Sequence, residues 1–583
     1  MMGTISDKLM RIINTKEDIR QALISKGYDV PTSIPFKEYA KMISDLPCRV
    51  DSFPDIEGIV ARYSALGLTN EQMAANPVWV DKTGNGHDLQ MKNFAWKEGS
   101  GISDIYPGAL VFDGVDDWAG CDNLPLLPKE KGYSIIALRN WITRYDATQY
   151  KRPLISNLDT NDEGAFLIEY RKDENVNDVT GSYNSFTDVY IDDNNPITWQ
   201  TSSSYNGQII KKGTSKSTNK LCICKTYFGQ LSNYANAAIW EIVILDHDAT
   251  EEELTKIKDY FVKTYPWLFP DQAWTVVGKT NEDEDRATIA NITGNGNDLV
   301  LSNFGFAEGS GYGLYAENYS NSRWFINNSI TATKKSDTFN VTSINQVAVQ
   351  IQYIAEPSQS PYTVPSYTIK VTGLTDGQTV NYRVSGGISY PITQDGIYIL
   401  PGFDFAGMGS WYGFQFNKVQ ETCDITIEQI PEYEGYLVTD GVDDEVRSAA
   451  FTLNEDWTIV GDWELLSNVQ INCGIVKAQN VYLYNTANGL LISINNPRSL
   501  QSFGTKSLHA ICSDGRLYDR NWVEYEYTVD QNFAIVESSL NIGFNLNNYT
   551  QIAFKNLGIY NNQILSKDDC IKAYNYLQTL KAK

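Results

Sequence analysis

Residues 81–89 read DKTGNGHDL, and residues 291–299 read NITGNGNDL. Two near-copies of one phrase in a single chain point to a duplicated unit, and the flanking sequence extends the match. Asn93-Phe94 returns as Asn303-Phe304, and EGSG at 98–101 returns at 308–311, all at an offset of 210. DGVDD at 113–117 recurs at 440–444, an offset of 327, so the second copy carries about 117 additional residues between these landmarks. Towards the C-terminal side the copies fall back into register at an offset of 316, where AIWEIVILD at 238–246 matches FKNLGIYNN at 554–562. A capped amphipathic helix pattern follows each run: Thr250-x-x-Glu253 with Leu254, Ile257 and Phe261, then Ser566-x-x-Asp569 with Cys570, Ala573 and Leu577.

Between the landmarks lie short strand-like runs separated by turn residues, including the tight turns expected at Ser204-Tyr205-Asn206-Gly207-Gln208 and Ser513-Asp514-Gly515-Arg516. Many short strands closed by one helix predict a β-sandwich, written here twice. The extra residues have their own alternation of apolar and polar positions, in SYTIKVTGL at 366–374, QTVNYRVSG at 378–386, DGIYILPGF at 395–403 and CDITIEQI at 423–430. They predict a small immunoglobulin-like or fibronectin-like sandwich inserted where chain ends lie close together. The expected organisation is therefore mainly β: a first sandwich over 53–268, a second over 272–313 plus 433–583, and an inserted sandwich over 314–432. Residues 1–50 stand apart. Ile5, Leu9 and Ile12, then Ile19, Ala22 and Leu23 behind a Thr15 cap, then Phe36, Tyr39, Ala40 and Ile43 after Pro35 predict three short helices. So small a module buries too little to stand alone and is expected to serve as an adaptor or oligomerisation element.

Composition narrows the function. Lys plus Arg number 47 against 71 Asp plus Glu, a net charge of −24 and a pI near 4.6. Such a surface repels phosphate backbones and anionic lipid, so neither nucleic acid nor a membrane surface is an expected partner. No apolar run approaches the roughly 20 residues of a membrane helix, and the first 25 residues lack the apolar core of a secretory signal. Eight cysteines without a C-x-x-C pair match neither a disulfide scaffold nor a zinc module. Cys222 and Cys224, two apart, read as plain buried thiols, and synthesis in a reducing cytosol fits. His87, His247 and His509 are the whole histidine complement, too few for H-E-x-x-H chemistry. Neither a metal nor a cofactor is expected.

The succession of TGNGxD, a strand entering DGVDD, a hairpin turn and a closing strand and helix resembles concanavalin A-like lectin/glucanase domains of the laminin-G-like jelly-roll type. That resemblance implies two face-to-face antiparallel sheets, with ligand sites, where present, on the concave sheet or rim loops. Its members include sugar binders, glycanases and purely structural modules. The opening INTKEDIRQALISKGYDVP and PFKEYAKMISDL resemble helical openings of bacteriophage tail, fibre and appendage proteins. TNEDEDRATIANITGNGNDLVLSNF at 280–304 is similar to proteins of Bacteroidetes and their phages, including the crAss-like group. Together they imply a structural virion protein, a head or tail fibre component made in the host cytoplasm. It would dock to other virion proteins through its N-terminal helices, form a homo-oligomer (dimer or trimer) and display lectin-like modules to host surface polysaccharide. A polysaccharide depolymerase on the same scaffold and an architectural decoration protein are the rivals.

The Gly-Asn-Gly cores read as positive-φ turns rather than calcium loops, since each offers one certain carboxylate, Asp88 or Asp298. Asp116-Asp117 and Asp443-Asp444 are paired acids, but neighbours on a strand point to opposite faces and do not flank one sugar bond. An E-x-D-x-x-E run is missing; Glu241 and Glu428 lack the alternating partners. No catalytic residue is assigned and the chain is expected not to be an enzyme. Trp411 and Tyr412, between Gly409 and Gly413, are the candidate glycan-binding platform, with core packing the better-supported competing reading.

Overall fold

The computed structural model describes residues 53–582, together with Lys16 and Arg20. It excludes residues 128–131, 144–150, 160–165, 172–183, 188–195, 202–217, 230–232, 308, 356–361, 376, 406–409, 467–472, 479–480, 487–488, 495–500, 504–506, 528–536, 543, 546–547 and 550. The helices expected over 1–47, the turn at 204–208 and Gly409 lie outside the described residues. Two compact units result, one of residues 1–57 with 250–265 and one of 58–249 with 266–583.

In the first unit the described structure is dominated by the helix Glu251–Thr264 (α2, counting Asn70–Ala75 as α1). Thr250 caps it through its side chain, which accepts from the Glu253 N–H, while the Glu253 carboxylate accepts the Thr250 N–H at 2.8 Å. This is the reciprocal arrangement that the T-x-x-E spacing predicts. Tyr260 meets Phe53 edge-on at 4.9 Å.

The second unit is almost wholly β. Its first sandwich pairs a sheet of strands Ile197–Thr201, Ser134–Thr143, Asn236–Leu245, Leu110–Asp113 and Gly101–Ile102, in that spatial order, with a seven-stranded sheet running from Asn184–Thr187 to Val78–Trp79. Ile59–Ser64 adds to the long strand Asn236–Leu245. The second sandwich repeats the order. Gly311–Leu314, Glu432–Val438, Ile552–Asn561, Trp457–Leu465 and Leu508–Cys512 are neighbours, and Gln272–Thr275 adds to Ile552–Asn561. Its opposing sheet has eight strands, from Thr288–Ile289 to Gln501–Phe503. The copies part company at the far edge: Asn184–Thr187 pairs parallel to its neighbour, whereas Gly489–Ile494 pairs antiparallel. Alternating inward residues fill each core, with Tyr63, Trp79, Phe112 and Ile242 in the first and Trp274, Trp457, Trp463 and Phe554 in the second.

The inserted segment forms two five-stranded sheets around a third core that contains Trp324, Phe339, Tyr382 and Phe414. It leaves and re-enters the second sandwich through adjacent antiparallel strands, with Gly311 opposite Val438 and Leu314 opposite Glu432. The last helix, Lys567–Thr579 (α3), is capped by Ser566 and buries Cys570, Ala573, Tyr576 and Leu577. Tyr576 also meets Trp240 of the first sandwich edge-on at 6.4 Å, and the Asn575 amide donates to the Asp104 carbonyl at 3.2 Å.

Candidate functional site

The repeated phrases turn out to be turn hardware. Gly84, Gly86, Gly294 and Gly296 all have φ between 75° and 82°, where a Cβ is strained. Asp88 and Asp298 each accept a backbone N–H at 2.8 Å, from Asp81 and Asn291 respectively. Asn93 and Asn303 both sit at φ 69° and donate to the Asp116 and Asp443 carbonyls. The acids of TGNGxD are thus bound to backbone.

DGVDD is also a self-capped turn. Asp113 Oδ1 accepts N–H groups from Val115, Asp116 and Asp117, and Asp117 Oδ2 accepts the Asp113 N–H; Asp440 and Asp444 repeat the pattern. In each copy three carboxylates come within 4.8 Å of one another. Asp117 and Asp444 are buried, and burial pushes both carboxyls up to about 6. Oδ2 of each buried carboxyl serves the backbone, Oδ1 is buried without a hydrogen bond, and Asp116 and Asp443 are exposed.

Glu241 is wholly buried and takes the Arg62 guanidinium at 2.5 Å, so it faces no substrate. Asp462 accepts the hydroxyls of Tyr436 at 3.0 Å and Tyr574 at 3.2 Å and the Gln578 amide at 3.2 Å. His509 stacks on the same Tyr574 at 4.1 Å, and burial lowers its basicity. This network ties α3 to the sheet beneath it.

The expected platform is corrected for Tyr412. Its ring is fully buried among Trp324, Tyr353 and Phe403, and its hydroxyl donates to the buried Glu317 carboxylate at 2.6 Å. Trp411 is half-buried, with the Arg383 guanidinium 5.9 Å from its ring centre. Strand alternation separates the two side chains. Gly413 is present because a Cβ there would collide with the Ile351 carbonyl and Gln352, which lie on the neighbouring strand. A close backbone approach, not an exposed loop, explains that glycine.

What sequence reading missed is a cleft of about 510 Å³ where the second sandwich meets its insert. Lys279, Tyr312 and Tyr315 line one side, and Lys370, Ile397 and Glu428 the other, with Pro431 and Glu434 at the junction. Lys370 is the cross-strand partner of both Ile397 and Glu428, so the sheet face presents an apolar, a cationic and an acidic group in one row. Ile397 is 65% exposed and Ile399 76%, an apolar pair on the outward side of an edge strand. Lys279 is held by Asp285 at 2.6 Å. Tyr312 donates to the Arg286 carbonyl at 2.7 Å. Burial, reinforced by Asp337, Glu428, Glu434 and Glu282, pushes the Tyr315 phenol up to about 12. The cleft therefore offers aromatic and aliphatic surface, hydrogen-bonding groups and a mildly negative potential.

No protein-family model matches the chain, and no curated protein matches it. Among solved structures, a Paenibacillus xanthan lyase is similar at a TM-score of 0.13 and 8% identity, over 62% of this chain and 43% of that one. A likeness at that level carries no argument about fold or chemistry.

Proposed function

We propose that the chain is a non-enzymatic attachment protein of a bacteriophage particle, a head or tail fibre component that holds host surface polysaccharide in the cleft between the second sandwich and its insert. The cleft carries this reading. A sugar ring presents C–H faces that pack on Tyr315 and Ile397, and hydroxyls that bond Glu428, Glu434, Thr280 and Lys370. Because Lys279 is already neutralised by Asp285, carboxylates outnumber the free ammonium group, which favours uncharged glycans over polyuronates. Weak single sites become useful when copies assemble, by roughly 10²-fold where geometry lets two engage together. The phage assignment draws on the resemblance of the N-terminal segment and of residues 280–304. No helix among the described residues is long and apolar enough to cross a membrane.

Two measurements test the reading. Calorimetric titration with neutral host oligosaccharides is expected to give a Kd of about 0.1–1 mM, weakened at least about tenfold by Tyr315→Ala. Antibody against the chain is expected to decorate intact particles in electron micrographs. Blank titrations together with unlabelled particles would overturn it.

A further inference from the structure

Cys512 ends the strand Leu508–Cys512, and Cys570 lies in the first turns of α3. They are 58 positions apart in sequence, and both are fully buried. Both thiols converge on one acceptor, the Leu565 carbonyl, each at 4.0 Å, which gathers the two sulfurs around a single oxygen. Cys423, by contrast, donates alone to the Val341 carbonyl. The segment between strand and helix is pinned in this register. Thr458 donates to the Gln563 carbonyl at 3.0 Å and accepts the Leu565 N–H at 2.9 Å, and Arg516 donates to the Leu565 carbonyl at 3.2 Å.

We propose that Cys512 and Cys570 are a disulfide-forming pair, reduced at synthesis and closed by a peroxide once the protein meets an oxidising medium. Thiols gathered on one acceptor form the bond when the sulfurs approach to about 2.05 Å, with Cβ atoms about 3.8 Å apart. The Arg516 guanidinium, which donates to the same Leu565 carbonyl at 3.2 Å, stabilises a thiolate at this pair. The Cys512 sulfur attacks one oxygen of hydrogen peroxide, the O–O bond breaks, and Cys512 becomes a sulfenic acid with release of one water. The Cys570 sulfur then attacks the Cys512 sulfur, gives up its proton, and expels hydroxide, which leaves with that proton as a second water. Two thiols are oxidised, one peroxide is reduced, and two waters form. The bond clamps the last helix onto the sheet and closes a loop of nearly sixty residues, long enough for a sizeable entropic stabilisation. This inference is independent of the attachment reading.

The test treats the folded full-length chain with millimolar hydrogen peroxide, then alkylates it in denaturant under non-reducing conditions. Peptide mapping is expected to show a Cys512–Cys570 cross-link, about 2 Da lighter than the two thiol peptides and reversed by dithiothreitol. The melting temperature of the second sandwich is expected to rise by about 5 °C or more. Cys570→Ser should lose both changes and leave a dimedone-reactive sulfenic acid on Cys512. Both thiols still alkylatable in oxidised wild-type protein, or Cys512 over-oxidised without a cross-link, would overturn the proposal, and neither outcome depends on whether the variant folds.

Discussion

The two sandwiches share their turns and differ in their buried polar centres. The glycines of TGNGxD and DGVDD keep matching positive φ values and the bonds to Asp88/Asp298 and Asp113/Asp440 recur at matching distances, while the x position differs, Asn297 at φ 66° and the His87 N–H donating to Asp81 instead. By contrast, the first sandwich buries the Arg62–Glu241 ion pair, and the second builds a network on Asp462 that recruits Tyr436, Tyr574 and Gln578. A turn whose side chains satisfy nearby backbone has few substitutes, because each atom has a specific donor to serve. A buried polar centre can be rebuilt in several ways, provided every member finds a partner.

This contrast can be broken experimentally. The largest effect is expected from Glu241→Ala, which leaves the Arg62 charge buried without its carboxylate and should cost the first sandwich about 3–5 kcal/mol in chemical denaturation. Asp462→Ala strands three donors in the second sandwich and should cost about 2–3 kcal/mol, with the loss concentrated in the transition that releases α3. If the two losses proved equal, the charged centre and the hydroxyl network would be energetically equivalent here.

The shared turns predict a shared response to pH. Asp117 and Asp444 hold their protons up to about pH 6, against about 3.9 for an unfolded carboxyl. The folded state binds the proton more tightly, so their contribution is fully present below about pH 4 and is lost as pH rises through 6. Each sandwich should be about 1–2 kcal/mol more stable at pH 5 than at pH 7 from this source, and Asp117→Asn or Asp444→Asn should flatten the dependence of its own sandwich alone. The smallest expected difference lies at the helix caps. Thr250→Ala removes a reciprocal capping box and Ser566→Ala a one-sided cap, so the first should cost about 1 kcal/mol and the second somewhat less, read from helix melting by circular dichroism.

What was legible in the sequence was local. The turns, both helix caps and the insert's strands each depend on residues within a few positions of one another, and period-2 alternation marks the inward faces. Core packing, the better-supported reading of Tyr412, holds, but the reason for Gly413 lies across the sheet, at Ile351, where no nearby residue announces it. The cleft was invisible for the same reason, since Tyr315, Lys370 and Glu428 come from three separated stretches. One trace did exist: GIYIL at 396–400 places isoleucine at outward positions 397 and 399, which a solvated strand face does not require.

The insert's two attachment strands lie side by side and point in opposite directions, with the pair ending at Leu314 and Glu432. Drag on the insert therefore loads their cross-strand bonds one at a time from that end, as a zipper peels, instead of shearing the whole ladder together. A tether of this kind yields bond by bond and re-closes when tension falls, and because Tyr312 and Leu437 on these strands belong to the second core, peeling past the first pairs begins to open that core.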